Sequence, residues 1–221
     1  MLDPRLAKWI RWFDVIRIDV QRLLINQHMF REVQGIIANN KQIQKPSSFY
    51  NYLGDTYVSY ITIGIRRQIK ISPKSISFVR LLSEIKETPS FLSRAYYIGL
   101  YKDSPNEHLA DRHFDNIAGG KGNHISLKMV NDDLDKLKRT ALRVEDYTDK
   151  RIAHRDNRKP KVIPTFIDVD KCLSVLDMIC SRYQRIFYAE GLTTLMPTFQ
   201  YDWKEIFSKL NRPGFAGDSI I

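Results

Sequence analysis

The sequence predicts an all-α fold: a helical bundle of two long antiparallel helix pairs, with short inserted helices and an extended C-terminal tail. Three observations predict it. Apolar residues recur at three-and-four spacing through most of the 221-residue chain, the pattern of a helix with one buried stripe. Cap residues and prolines punctuate that pattern at its ends. No segment alternates apolar and polar residues as a half-buried strand does. Residues 1–191 form the helical domain by this reading, and 192–221 form a tail.

Asp3-Pro4 opens the first helix, with Asp as cap and Pro in the first turn. Leu6, Trp9, Ile10, Phe13, Ile16, Val20, Leu23 and Leu24 make its stripe. A further helical stretch covers Met29 to Ala38 and ends in the Asn39-Asn40-Lys41 loop. Pro46-Ser47-Ser48 starts the next helix, which carries Phe49, Leu53, Tyr57, Tyr60, Ile61 and Gly64 to about Ile69. Its aromatic residues share one face, which favours core packing over base stacking. Ser72-Pro73 breaks that helix, and a shorter one from Ser75 carries Phe78, Leu81, Leu82 and Ile85 up to Pro89. Two short helical segments, Phe91 to Tyr101 and Leu109 to Ile117, lead to Gly119-Gly120-Lys121-Gly122. That cluster lacks the spacing of a phosphate loop and follows no strand, so it is a surface turn.

The next helix carries the most informative residues. Leu127, Val130, Leu134, Leu137, Ala141 and Val144 keep a seven-residue rhythm. Extended, the rhythm runs into Thr148, Arg151 and Arg155, so an apolar stripe turns cationic while the helix continues. Tyr147 and His154 flank it. The helix macrodipole explains cations such as Lys150 or Arg158 near a C-terminus. It does not explain arginines on a core-facing stripe, which need anions or solvent; the stripe is expected to open there into a groove or a subunit interface. Beyond Pro160 and Pro164 a last long helix starts near Asp168 and buries Val169, Cys172, Val175, Leu176, Ile179, Tyr183, Ile186 and Phe187. The tail holds one short helix around Trp203 to Leu210.

Net charge is +10 and pI is about 9.6, a balance that favours polyanions, nucleic acid first, or serves solubility alone. Ten Lys and Arg fall between Lys136 and Lys161 against four acidic residues. The only cysteines, Cys172 and Cys180, lie two turns apart on one stripe, which is core packing rather than a disulfide or zinc framework. No signal peptide opens the chain, and no apolar run approaches the roughly 20 residues a bilayer needs. The expectation is a cytoplasmic protein with no membrane partner. His28, His108, His113 and His124 show no ligand spacing beyond the 108/113 pair, so neither a metal nor another cofactor is expected.

A long helix ending in Lys150-Arg151-Ile152-Ala153-His154-Arg155-Asp156, then a loop and a final long helix, resembles the HEPN superfamily. Within it, the abortive-infection (AbiU-like) branch is the nearer likeness, since it also opens on a Trp-rich helix followed by an aromatic one. The resemblance covers about residues 4 to 190, with only the seven-residue motif specific. It implies a helical bundle that dimerises through its motif helices, and a metal-independent ribonuclease serving as a toxin or phage-defence effector, with an antitoxin as a further partner. The family motif places four to six residues between an arginine and the histidine. Here those positions hold Asp149, Thr148 and Tyr147, and the nearest arginine is Arg151.

In chemical terms, His154 is the candidate acid or base, since imidazole titrates near neutral pH. Arg151 and Arg155 are candidates to hold the phosphate through paired hydrogen bonds. Asp149 or Asp156 would orient the imidazole, and for Asp156 the competing role is an ion pair with Arg155 or Arg158. Lys150, Arg155, Arg158, Arg143 and Tyr147 are the candidate RNA contacts. Three readings stay open: a ribonuclease, a non-catalytic RNA- or protein-binding module, and a plain structural bundle.

Overall fold

Asp3 caps the first helix with its own carboxylate, whose Oδ1 accepts the backbone N–H of Arg5 and of Leu6, and Pro4 occupies the first turn. That helix, α1 (Pro4–Asn39), is unbroken for 36 residues, about 54 Å at 1.5 Å per residue. The sequence separates a stretch from Met29; the structure joins the two, because Ile25 to His28 keep the phase and Phe30 extends the buried face. The structure is a computed structural model and describes residues 2–154 and 156–209.

Ser47 caps α2 (Ser48–Ile69) and Ser77 caps α3 (Phe78–Glu87), each through its hydroxyl. The latter helix begins three residues after Ser75, whose hydroxyl instead closes a turn onto Ser72 O. Two shorter helices, α4 (Arg94–Gly99) and α5 (Ala110–Ile117), come next. Ser126 caps α6 (Leu127–Tyr147), and a capping box between Thr165 and Asp168 starts α7 (Phe166–Tyr188). The tail carries α8 (Glu205–Lys209); the rest of the expected tail, from Leu210, lies outside the described residues. No strand ladder forms among the described residues, only an isolated bridge between Ser93 and His124.

The four long helices make a closed ring of antiparallel neighbours, and residue pairs give the direction at each contact. Between α1 and α2, Phe30 stacks on Tyr57 with ring centroids 3.9 Å apart, while further along Leu23 lies against Gly64. Between α1 and α7, Phe13 stacks on Phe187 at 4.9 Å and Arg31 pairs with Asp170 at 2.7 Å. Between α6 and α7, Arg182 clamps Asp133 at 2.6 and 2.8 Å, and the Cys172 thiol donates to Thr140 O at 3.3 Å. Between α2 and the end of α6, Lys70 reaches Glu145 at 3.3 Å while Arg66, one turn earlier, pairs with Asp149, one turn later. Trp9, Phe13, Ile16, Phe78, Ile61, Val144, Ile179 and Tyr183 fill the centre. Each apolar side chain of that kind contributes about 1.5–3 kcal/mol by leaving water.

Two stripes are narrower than their spacing suggests. Phe49 and Tyr60 of α2 and Leu127 of α6 are exposed. Cys172 and Cys180 are buried and unpaired, and burial pushes the Cys172 thiol up to about 12. No described helix is long and apolar enough to cross a membrane.

Candidate nucleic-acid interface

The helix does not carry its phase through the motif. After Tyr147 the backbone widens into a π-helical turn over Thr148–Ile152, with the Ala153 N–H donating to Thr148 O at 2.8 Å, five residues back. Thr148 stays fully buried, its hydroxyl donating to Val144 O at 2.6 Å. The extra residue in that turn rotates the next residues away from the core, and Arg151, Ala153 and His154 are exposed. Arg151, expected in line with the core, is therefore displaced into solvent. This removes the burial cost that arginines on an inward stripe would carry.

Asp149 is the anchor of this turn. Its carboxylate pairs with Arg66 and with Lys70 (2.9 Å) at the end of α2, where Glu145 also reaches Lys70. Burial raises the Asp149 carboxyl, but the hydrogen bonds from Lys70 and Arg66 outweigh it and hold the group below the usual range. Asp146 does similar work on the other side: its Oδ1 takes Lys150 at 2.7 Å and its Oδ2 takes the backbone N–H of Lys161 at 2.9 Å. The loop after the helix is thereby folded back along α6.

Neither carboxylate proposed to orient the imidazole touches it. Asp149 is committed to α2. Asp156 accepts the Arg158 guanidinium at 2.6 and 3.1 Å and the Arg158 backbone N–H at 2.9 Å. The Arg158 side chain leads the effects that hold the Asp156 carboxyl far below its ordinary value. Arg151 donates to Asp156 O at 3.4 Å, and the Asp156 N–H donates to Lys150 O at 3.1 Å. His154 makes no hydrogen bond among the described residues. Arg155 lies outside the described residues.

Of the remaining expected contacts, Arg143 pairs with Asp168 at 3.3 Å and Tyr147 is half-buried. The basic segment was located in the sequence, but the arrangement of its first cations on one helix face was not read there, although the spacing shows it. Lys136, Arg139 and Arg143 recur at helical spacing on one outward face of α6. They line a shallow groove of about 560 Å³ together with Lys171 and Asp168 of α7. Among the described residues, Lys136, Lys138, Arg139, Arg151, Lys159 and Lys161 form no ion pair, so the lane keeps Lys136 and Arg139 unneutralised while Arg143 pairs with Asp168. Further along the chain, past the π turn, His154 is exposed. No group of His, Cys, Asp and Glu among the described residues could hold a metal ion.

No family model, no curated protein and no solved structure matches this chain.

Proposed function

We propose that the chain is a HEPN-like RNA-binding protein of the phage-defence or toxin–antitoxin kind, and that residues 150–158 cleave the RNA it holds. The observation that carries the reading is the set of basic residues on α6, Lys136, Arg139 and Arg143, followed in the chain by an exposed histidine that makes no hydrogen bond among the described residues. Lysines and arginines on an outward face bind phosphates through charge and counterion release. Arg151 keeps most of its guanidinium donors for phosphate. His154 accepts the 2′-hydroxyl proton as that oxygen attacks phosphorus, or protonates the departing 5′-oxygen; Arg151 stabilises the charge on the phosphorane. The reaction in this form uses side-chain acid–base chemistry alone.

The reading includes a homodimer. Leu142, Ile163 and Ile167 are 65–71% exposed beside the lane, an apolar strip that a second copy would cover, bringing two lanes into one groove. An antitoxin protein would use the same strip or lane. A second reading, binding without cleavage, is favoured by one observation: Asp149 and Asp156 are both held by other groups, so the imidazole lacks an orienting carboxylate. One comparison separates the two. Wild type and His154→Ala are incubated with labelled mixed-sequence RNA at low salt, with and without chelator. Cleavage by wild type alone supports the ribonuclease; retention on RNA by both without cleavage supports the binding module; no retention by either removes RNA from the account.

A further inference from the structure

A second concave site lies at the end of the bundle away from residues 148–158, where α7 finishes beside α4 and α5. It is a cleft of about 550 Å³, within the range that small-molecule sites occupy. Its polar groups converge. The Tyr97 and Tyr101 hydroxyls lie 3.2 Å apart, and the Tyr101 hydroxyl is 3.0 Å from His113 Nδ1. Burial, then the bond to Tyr101, pushes the Tyr97 hydroxyl well above its ordinary value, so it stays protonated. Across the cleft, Arg185 gives Nε and Nη2 to Leu192 O at 3.2 and 2.9 Å. Its Nη1 makes no hydrogen bond among the described residues, nor do His113 Nε2 and the Asn116 amide. No Asp or Glu lines the cleft, while Leu100 and Ile117 supply apolar surface.

The backbone is unusual at this place. Among the described residues only two non-glycine residues have φ in the left-handed region, Asp103 at 63° and Ala189 at 57°. Ala189 lines the cleft, and Asp103 sits in the turn that brings Tyr101 and Ser104 to its edge. Alanine has no side-chain group to compensate that conformation, yet it turns the chain so that Leu192 O returns to hold Arg185. Strained residues of this kind gather at binding sites.

We propose that this cleft binds a small organic anion, one terminal carboxylate or phosphate on a flat apolar body. The oxyanion accepts from Arg185 Nη1, a charge-assisted donor, and from His113 Nε2, and no Asp or Glu lines the cleft to compete. The flat body lies against Tyr101 and Ile117, and the Asn116 amide meets any polar edge. Carboxylate and phosphate share this chemistry, and the site is independent of the RNA lane.

The test is amide-shift titration of the full chain with phenyl phosphate, benzoate, benzyl alcohol and inorganic phosphate in turn. At least one aromatic anion should bind with a millimolar or lower Kd, at least tenfold tighter than benzyl alcohol or inorganic phosphate, with shifts centred on residues 97–117 and 185–192. Arg185→Gln should weaken that binding at least tenfold. His113→Phe, which removes a donor and narrows the cleft, should do the same should the first variant fail to fold. Whichever aromatic anion binds tighter names the oxyanion. Absence of binding by both anions overturns the proposal. So do equal affinity for benzyl alcohol or inorganic phosphate, affinity indifferent to a folded variant, and shifts centred on residues 136–161.

Discussion

His154 and Asp149 are five residues apart and have opposite surroundings, so their substitutions should separate function from folding. His154 is exposed and makes no hydrogen bond among the described residues, so His154→Ala should change stability by less than about 0.5–1 kcal/mol while abolishing any cleavage. Thermal melting beside an RNA cleavage assay checks both, and a large fall in Tm would mark His154 as a structural residue. Asp149, tied to Arg66 and Lys70, behaves the other way. Asp149→Asn keeps the shape but loses the charge, and should cost about 1–2 kcal/mol, the low end for hydrogen bonds to charged groups because these side chains are partly exposed. Its carboxyl is held below the usual range in the folded chain, so the unfolded state binds its proton first as pH falls. The stabilisation is therefore full above about pH 4 and lost as pH drops through the lower folded value. Urea midpoints for wild type and Asp149→Asn should differ at pH 6 and converge at the acid end; a constant difference down to the lowest pH would place the anchor elsewhere.

At the scale of elements, two contacts decide how the helices meet. Gly64 lets α2 approach α1, and a Cβ there would overlap the buried Leu23 side chain. Gly64→Val should destabilise by about 1–3 kcal/mol, the ordinary cost of overpacking a filled core; denaturant unfolding reads it, and an unchanged midpoint would mean the pair is loosely packed. The second contact is the Arg182 clamp on Asp133, whose residue is only 3% exposed. Arg182→Met strands a buried carboxylate and should cost about 3 kcal/mol, whereas Asp133→Leu with Arg182→Met should recover most of it, since a buried pair and its apolar replacement are nearly equivalent. Burial itself raises the Asp133 carboxyl against the opposing pull of Arg182, consistent with a costly ion pair. If the double variant is as unstable as the single one, the pair does more than neutralise itself.

For the whole molecule, the charge distribution makes the sharpest demand. If four cations of the α6 lane each meet a phosphate of single-stranded RNA, log K should fall with log salt with a slope of about −3. Arg139→Glu with Arg143→Glu should flatten that slope by about half while leaving Tm nearly unchanged. Filter binding across a salt series reads it; a slope near zero in wild type would make the +10 charge a matter of solubility.

Helix content and order were legible because three-and-four spacing and caps act within a few residues: Asp3, Ser126 and Pro160 report their roles without knowledge of the rest of the chain. The inward residues of α6 and α7 were legible for the same reason, since burial tracks the helical period. The sequence also located the basic segment, because charge is additive along a chain. It could not place Asp149 against Arg66 and Lys70, about 80 residues away, nor show that the helix widens into a π turn there with Arg151 exposed. It missed the cleft of Tyr101, His113 and Arg185, whose members come from three elements and carry no common spacing. Local periodicity determined what the helices are and which faces they bury; only the tertiary structure decided which charges are spent on one another and which remain for a partner, because pairing depends on distances between helices that no short-range pattern encodes.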